Sequence, residues 1–449
     1  MQSVFLSINQ VEQGSYEFWT PFNNEEIKEV FKWQLSEAKK PGFLIENTYI
    51  LSDKALIKLE AGSKVPVSTV NIQWKLIEPF VEEKDDITRY GFSLGHQNAS
   101  HDFYVKNKEE LDLWLDKLSY VGILTDLEDD YELEIVLGRG AYSKVFLGKH
   151  RKDCKKYAIK SIDKLEIKGS QENYEALIKE IKIMRKLNHP NIIKLHKIYE
   201  DEDHVHLVLD YAKGEDLYTR VLMKDNFTER DVAKLSQKLL CVLDYLNSQN
   251  IVHRDIKLEN ILMDSYENDY DFKLADFGLA TEASGDLKLR CGTPGYIAPE
   301  ILRRQPYGTK SDLFSVGIIM YILLSGKMPF YSESVKDILV KNTECIINFN
   351  DHVWKYVSKD AINLIKRLTD PNPENRIPPE EAVGHRWFCK KLKSISFRSR
   401  SLKSRSQEIN RERGDFQVEC VKIKTRILPN NFVPIKKARL QRLIKGKVY

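Results

Sequence analysis

Three short stretches in the second half of the chain decide the fold. They are His253-Arg-Asp-Ile-Lys-Leu-Glu-Asn260, Asp276-Phe-Gly278 and Gly292-Thr-Pro-Gly-Tyr-Ile-Ala-Pro-Glu300, in that order. Asp255 precedes Asp276 by 21 residues. Packing alone does not demand so many polar groups in this order, so the region is predicted to carry a chemical site.

Two further motifs lie upstream of these stretches. Leu137-Gly-Arg-Gly-Ala-Tyr-Ser-Lys-Val145 is typical of a strand, a glycine turn and a second strand, through which backbone N–H groups can approach phosphates closely. Fifteen residues later, Tyr157-Ala-Ile-Lys160 places a lysine on an otherwise apolar strand, where its charge can neutralise phosphate oxygens. The helical segment 172–187 offers Glu180 as the anionic partner of that lysine. Taken alone, an ordinary hairpin and a solvent-facing lysine fit these residues as well.

Together, the motifs resemble the signature set of the eukaryotic protein kinases, which occurs here in the family's order over residues 131–388. The resemblance implies an α+β, bilobal protein kinase fold with a β-rich N-lobe and a helical C-lobe. It also implies transfer of the γ-phosphate of ATP to hydroxyl groups of protein substrates. Lys257 and Thr293 resemble the serine/threonine branch, and Gly140-Ala-Tyr-Ser143 is similar to the calcium/calmodulin-dependent group.

The resemblance assigns catalytic roles residue by residue. It implies that Asp255 accepts the proton of the substrate hydroxyl, with Lys257 beside it as a second catalytic residue. Lys160 would hold the α- and β-phosphates and Glu180 would align it. The metal ligands would be two oxygen donors suited to magnesium (Mg2+), Asn260 and Asp276.

The resemblance also locates the ATP site. Main-chain groups of Asp210 and Ala212 would meet adenine, with Leu209 behind it. The remaining nucleotide-binding residues that it implies are Leu137, Gly138, Arg139, Gly140, Ala141, Tyr142, Ser143, Lys144, Val145, Ala158, Lys160, Asp216, Glu259 and Leu262. For Asp216 three roles stay open: a ribose contact, recognition of arginine in an R-x-x-S/T substrate, or a helix cap.

Two features concern regulation and stability rather than chemistry. Leu289 stands two residues before Cys291, where many relatives carry an activating threonine, so activity is predicted not to require phosphorylation there. Thr281 and Ser284 remain alternative phosphorylation sites in the same loop. Arg376 is expected to pair with Glu300, an interaction that is structural rather than catalytic.

The first part of the chain predicts a separate domain. Short alternating stretches are followed by helical periodicity from Lys108 to Leu118, which indicates a small antiparallel sheet closed by one helix. The segment 103–118 resembles a pleckstrin-homology domain, with Trp114 as its core tryptophan, although a tryptophan anchor in another small β-rich domain fits equally. We predict four regions: 1–125, this domain; 126–130, an exposed acidic connector; 131–388, the catalytic domain; and 389–449, a basic regulatory tail.

The charge distribution suggests partners for the two flanking regions. Residues 390–449 hold 18 Lys and Arg against 4 Asp and Glu, whereas the whole chain carries only +4. This tail is predicted to be a solvated segment, a pseudosubstrate, or a docking site for a calmodulin-like or acidic partner. Residues 1–125 hold 13 basic and 19 acidic side chains, so phosphoinositide binding there needs a local pocket, for which Lys39, Lys40 and Lys54 are candidates. No specific nucleic acid is expected.

The default location is cytoplasmic, with recruitment to a membrane as a further hypothesis. The six cysteines are scattered without C-x-x-C spacing, which favours a reducing compartment. No apolar run approaches the roughly 20 residues needed to cross a bilayer. A rival function remains a pseudokinase scaffold recruited by its N-terminal domain, but it requires the loss of a catalytic group, and none is missing here.

Overall fold

The computed structural model describes residues 4–5, 18–22, 29–40, 43–84, 86–96, 99–140, 143–224, 227–283 and 287–389. Apart from Cys389, the predicted tail lies outside these residues, as do Ala141, Tyr142 and Ser284. The chain forms two compact units. Unit 1 contains Met1–Gly138, Tyr142–Arg185 and Lys194–Tyr211, and unit 2 contains Arg139–Ala141, Lys186–Ile193 and Ala212–Tyr449.

Unit 1 is built on one sheet of 14 strands. The strands before residue 110 are β1 (Thr20–Pro21), β2 (Glu29–Lys40), β3 (Phe43–Ser52), β4 (Ala55–Leu59), β5 (Pro66–Asn71), β6 (Leu76–Lys84), β7 (Ile87–His96) and β8 (Ala99–Val105). The later strands are β9 (Ile123–Leu124), β10 (Tyr131–Arg139), β11 (Ser143–His150), β12 (Lys156–Asp163), β13 (Leu195–Glu200) and β14 (His204–Asp210). Their order across the sheet is β1-β5-β4-β3-β2-β8-β7-β6-β9-β13-β14-β12-β11-β10.

The N-terminal sheet is closed by the helix that the periodicity predicts. Helix α1 (Lys108–Leu118) begins at Asn107, whose side chain accepts from the N–H of Glu110, while the Glu110 carboxylate accepts from the N–H of Lys106. Reciprocal bonds of this kind satisfy backbone donors that a helix start otherwise leaves unpaired. Trp114 is fully buried against the sheet. The predicted antiparallel sheet with a closing helix is therefore confirmed.

The sheet does not break at the predicted connector. The short strand β9 pairs in parallel with β6 on one side and with β13 on the other. The acidic residues that follow form the short helix α2 (Leu127–Asp130), in which Leu127 is buried and Asp130 accepts a hydrogen bond from the hydroxyl of Tyr199. Glu128 and Asp129 are exposed, which keeps their like charges in water. The two ends of α2 are held in place, by burial of Leu127 and by the hydrogen bond to Asp130.

The second half of unit 1 is an antiparallel group of strands with two helices. Strand β12 lies between β11 and β14, and β13 pairs with β14. Helix α3 (Lys164–Lys168) follows β12 directly, and helix α4 (Gln171–Lys186) buries an apolar face that includes Leu177, Ile178 and Ile181. These strands correspond to the β-rich lobe that the sequence predicts.

Unit 2 is mainly helical. Its helices are α5 (Leu217–Met223), α6 (Glu229–Ser248), α7 (Pro299–Leu302), α8 (Lys310–Ser325), α9 (Val335–Glu344), α10 (Lys359–Leu368), α11 (Pro379–Val383) and α12 (Arg386–Cys389). Its short strands are β15 (Ile251–Val252), β16 (Ile261–Met263), β17 (Phe272–Leu274) and β18 (Thr281–Glu282), paired as β15 with β18 and β16 with β17.

Helix α8 forms the centre of unit 2. It is buried on all sides from Ser311 to Ser325, as its continuous apolar sequence predicts. The helix ends at Gly326, which has a φ of 70° and donates its N–H to the carbonyl of Ile322. That left-handed conformation favours glycine and is typical of helix ends. A β-rich unit 1 and a helical unit 2 together confirm the predicted α+β fold class.

Within the described residues, no helix combines the length and apolar character that crossing a membrane requires.

Candidate active site

In unit 1, the predicted lysine and glutamate form a direct ion pair. Lys160 lies on β12 and Glu180 on α4, and the Lys160 Nζ to Glu180 Oε1 distance is 2.6 Å. The two side chains are only 11% and 5% exposed. Burial makes the pair mutually dependent, because either charge without the other would be stranded away from water. The pair fixes the position of the Lys160 ammonium.

The predicted nucleotide-binding residues of unit 1 line neighbouring strands. Leu137 and Gly138 lie near the end of β10, which ends at Arg139, and Ser143, Lys144 and Val145 begin β11. In the sheet register Val145 lies opposite Lys160, and Ala158 lies opposite Leu209. The structure therefore brings together the residues of unit 1 that the sequence separates by up to 72 positions.

The end of β14 carries the predicted adenine-binding backbone. The carboxylate of Asp210 accepts from His196 Nε2 at 2.7 Å and from the N–H of Lys194 at 3.2 Å. These bonds tie the Asp210 side chain to neighbouring residues of unit 1, and the contact of its main chain with adenine stays a prediction. Ala212, Arg139 and Gly140 belong to unit 2.

In unit 2, the Asp255 carboxylate is held by three donors. Lys257 Nζ donates to Oδ2 at 2.7 Å, Thr293 Oγ1 donates to Oδ1 at 2.6 Å, and Asn260 Nδ2 lies 3.2 Å from Oδ2. Lys257 Nζ also donates to Thr293 Oγ1 at 3.0 Å. Both carboxylate oxygens are thus oriented by residues from two separate sequence motifs.

The loop that carries Asp255 is also held by Asp312, which was not among the predicted site residues. The carboxylate of Asp312 accepts from the N–H of His253 at 2.7 Å and from the N–H of Arg254 at 2.9 Å. Arg254 has a φ of 67°, which a non-glycine residue adopts only when its surroundings hold it. Burial raises the pKa of Asp312 above its ordinary value. The sequence feature that could have indicated this role is an acidic residue, Asp312, in the first turn of the otherwise apolar helix α8.

The predicted metal ligands flank the same loop. Asn260 Nδ2 donates to the carbonyl of Asp255 at 2.8 Å, which directs the amide nitrogen inward and makes the amide oxygen the atom left for a metal. Asp276 has a φ of 62° and one of its carboxylate oxygens accepts from the N–H of Gly278 at 3.3 Å. One carboxylate and one amide oxygen are hard donors, and this set fits Mg2+.

Two predicted nucleotide-binding residues of unit 2, Asp216 and Glu259, are acidic and partly buried. Asp216 caps α5 by accepting from the N–H of Thr219 at 2.7 Å, so the cap that the sequence left as an alternative is present. The backbone of Asp216 also forms an isolated β-bridge with Leu262. Burial raises the pKa of the Asp216 carboxyl group above its ordinary value. Burial raises the pKa of Glu259 as well, and its Oε2 meets no hydrogen-bond donor in the described part of the chain.

Arg254 and Tyr307 both contact the backbone of the segment after Asp276. Arg254 Nε donates to the carbonyl of Leu279 at 2.6 Å and its Nη1 lies 3.3 Å from the Tyr307 hydroxyl. Tyr307 in turn donates to the carbonyl of Leu289 at 2.7 Å. The Leu289 side chain is exposed and cannot be phosphorylated. The arginine and the tyrosine thus hold the backbone at Leu279 and at Leu289.

The predicted structural ion pair between Arg376 and Glu300 is present and is buried away from solvent. Arg376 Nη1 and Nη2 donate to Glu300 Oε1 and Oε2 at 2.7 and 2.8 Å, a bidentate pair with both side chains at most 1% exposed.

Comparison with known proteins identifies the class. Residues 131–388 match the protein kinase domain family. Because this match spans more than half of the chain, the chain belongs to the protein kinase family.

Individual relatives show which group of protein kinases the chain resembles. The chain is 39% identical over 269 residues to calcium/calmodulin-dependent protein kinase type 1 of Macrobrachium nipponense, covering 60% of this chain and 77% of the relative. It is 36% identical over 265 residues to type 1B of Rattus norvegicus, covering 59% and 76%. It is 34% identical over 331 residues to a probable serine/threonine-protein kinase 2 of Plasmodium falciparum, covering 73% and 64%. The chain is an ATP-dependent serine/threonine protein kinase near the calcium/calmodulin-dependent group.

Proposed function

We propose that Asp255 is the catalytic base of this kinase, that Lys160 binds ATP phosphates, and that Glu180 orients Lys160. The observation that carries the proposal is the Asp255 carboxylate, which Lys257 and Thr293 hold by short hydrogen bonds. A carboxylate oriented in this way is prepared to accept a proton from a hydroxyl group placed beside it.

In the proposed step, the substrate hydroxyl oxygen forms a bond to the γ-phosphorus. The bond between that phosphorus and the β-phosphate oxygen breaks, ADP leaves, and the hydroxyl proton passes to a carboxylate oxygen of Asp255. Lys257 adds positive charge next to this carboxylate, and Thr293 limits its rotation. Their shared contribution is positioning and charge stabilisation.

Asn260 and Asp276 are the proposed ligands of Mg2+. An ion held by these two residues would supply positive charge that offsets the charge of the phosphates. The test is a magnesium titration of phosphate transfer from labelled ATP to a serine peptide, comparing the wild type with Asp276→Asn and with the exposed control Asp337→Asn. We expect Asp276→Asn to lower the maximal rate roughly 100-fold, which corresponds to about 2.7 kcal/mol of lost charge stabilisation. Equal titration curves for all three proteins would refute the assignment.

For substrate recognition, we propose a preference for R-x-x-S/T sequences. Asp216 and Glu259 place two acidic groups in unit 2, and burial together with the negative charge of Asp216 destabilises the charged form of Glu259. A guanidinium group relieves this cost by donating charge-assisted hydrogen bonds. Peptides with arginine or glutamine three residues before the serine should differ about tenfold in kcat/KM, a typical value for one such contact. The difference should shrink in Glu259→Gln and Asp216→Asn, and an unchanged ratio would contradict the proposal.

For the N-terminal region, we propose a pleckstrin-homology-like domain, supported by its antiparallel strands and by Trp114 in its core. We further propose that this domain binds phosphoinositides and thereby recruits a cytoplasmic protein to a membrane. The side chains of Lys39 and Lys40 lie outside the described residues, and that of Lys54 is exposed. Sedimentation with neutral vesicles, with and without phosphoinositide, tests the idea. Binding that does not depend on the phosphoinositide would exclude it.

For the tail, we propose binding to a calmodulin-like partner. Two relatives are named for dependence on calcium and calmodulin, and residues 390–449 are strongly basic. Activity of the full chain is expected to rise when calcium and calmodulin are added together. A chain that ends at residue 389 should be active without them. If both proteins ignore calmodulin, the tail has another role.

A further inference from the structure

The helix that carries Glu180 is attached to the N-terminal region as well as to its own lobe. The apolar face of α4, formed by Leu177, Ile178 and Ile181, shares one buried cluster with Trp74 and Ile123. The family match begins at residue 131, so both of these last two residues lie outside it. Part of the core beneath α4 is therefore supplied by residues that precede the kinase domain.

A single arginine makes the most specific connection. Arg185 lies in the last turn of α4, five residues after Glu180. Its Nη2 donates to the carbonyl of Gly122 at 2.9 Å, and its guanidinium carbon lies 4.8 Å from the centre of the Trp74 ring. Burial lowers the pKa of Arg185 to about 10. Planar stacking on an aromatic face and a directed hydrogen bond are contacts for which arginine is better suited than lysine.

The partners of Arg185 are themselves rigidly held. Gly122 precedes β9, and a Cβ atom at this position would lie 2.3 Å from Ile77 Cδ1, so the backbone lies directly against β6. Trp74 is 1% exposed, and its ring stacks on Phe5 with the ring centres 5.5 Å apart. Trp74 also has a φ of 69°, a conformation that a bulky residue keeps only when its surroundings impose it. The N-terminal region thus offers α4 a fixed support.

We propose that Arg185 and Trp74 are positioning residues for catalysis, through which the N-terminal region holds α4 so that Glu180 stays paired with Lys160. This inference rests on the proposed role of the Lys160–Glu180 pair. In this kinase the N-terminal region thereby activates the catalytic domain of the same chain. This effect does not depend on any ligand that the N-terminal region binds. Loosening of the Arg185 contact lets α4 shift and reduces the fraction of molecules in which Lys160 is correctly placed.

The test uses the full chain and a double-mutant cycle. The variants are Arg185→Met, Glu180→Gln, the combination of both, and Lys182→Met, an equal change of charge at an exposed position of the same helix. For each protein, kcat and the KM values for ATP and for a serine peptide are measured, together with hydrogen exchange of the α4 peptides. Because Arg185 acts through Glu180, its effect should vanish once Glu180 is already changed.

We expect Arg185→Met to lower kcat/KM for ATP about tenfold and to leave the KM for peptide unchanged. Exchange should accelerate in α4, and Lys182→Met should stay within about twofold of the wild type. In the Glu180→Gln background, Arg185→Met should add no further loss. Losses that multiply in the double variant would mean that Arg185 only supports the fold, and would overturn the inference.

The other outcomes separate this inference from the proposed function. A normal rate for Arg185→Met alongside a slow Glu180→Gln refutes the positioning role alone. A normal rate for Glu180→Gln refutes the role of the ion pair, and the inference falls with it. If Arg185→Met does not fold, Arg185→Lys takes its place, since it keeps the charge but loses the planar stack, and a loss of about threefold is expected.

Discussion

The buried ion pair between Arg376 and Glu300 allows a stability prediction whose size follows from the geometry. Glu300→Gln removes the negative charge opposite a guanidinium group that is completely buried. Breaking a buried pair by removing one partner costs about 3–5 kcal/mol, since the remaining charge is left uncompensated. Glutamine keeps one hydrogen bond, so the lower end, about 3 kcal/mol, applies. At roughly 2–4 °C per kcal/mol for a domain of this size, the melting temperature should fall by about 6–12 °C.

The chain contains a matched control for this experiment. Arg367 and Glu381 form another arginine–glutamate pair in unit 2 at 2.6 Å, but their side chains are 38% and 52% exposed. Exposed pairs contribute about 0–1 kcal/mol, so Glu381→Gln should lower the melting temperature by no more than about 4 °C. Both variants and the wild type are compared by calorimetry at one pH and salt concentration. Equal shifts for the two substitutions would refute the reasoning from burial.

Three further predictions concern charge, regulation and the site. Burial lowers the pKa of Lys75 from 10.5 to about 8, so the unfolded chain binds more protons between these pH values and stability rises with pH across this interval. Relative to Lys75→Met, the wild type should therefore gain about 3 kcal/mol of stability between pH 8 and pH 10.5, measured by urea unfolding of both proteins across this pH range. Treatment with phosphatase should leave the activity of the full chain unchanged, because Leu289 cannot be phosphorylated and its carbonyl accepts a hydrogen bond from the Tyr307 hydroxyl; loss of activity that Thr281→Ala reproduces would contradict this. Thr293→Val should lower kcat about tenfold by freeing one oxygen of Asp255, with the KM for ATP unchanged; an altered KM and a normal kcat would argue for a role in nucleotide binding instead.

The sequence predicts those parts of the site that depend on short-range order. The stretch from His253 to Asn260 contains its own turn and its own polar groups, so Asp255, Lys257 and Asn260 can be grouped from their spacing alone. The pairing of Lys160 with Glu180 rests on the need of such a lysine for an anionic partner and on the resemblance to the protein kinases, because the same helix also carries Glu172 and Glu175. The predicted antiparallel sheet and closing helix of the N-terminal region rest on the same kind of local signal.

Contacts between distant segments could not be predicted in this way. Asp312 binds the backbone of a loop 59 residues earlier, and no periodicity indicates which loop it meets. Arg185 and Trp74 are 111 positions apart, and their contact depends on parallel pairing of the two-residue strand β9. The charge of the segment from Asp126 to Asp130 favours a connector, but Leu127 anchors it because the sheet continues on both sides.

The most direct test of the account is transfer of labelled phosphate from ATP to a serine peptide by the full chain and by Asp255→Asn. Asparagine keeps the size of the side chain and its bond to Thr293 but cannot accept a proton, and the loss of a positioned base accounts for about 10²–10⁴ in rate. We expect a loss in this range for Asp255→Asn, with ATP binding unchanged and with Asp337→Asn at the wild-type rate. Transfer by Asp255→Asn at the wild-type rate would contradict it.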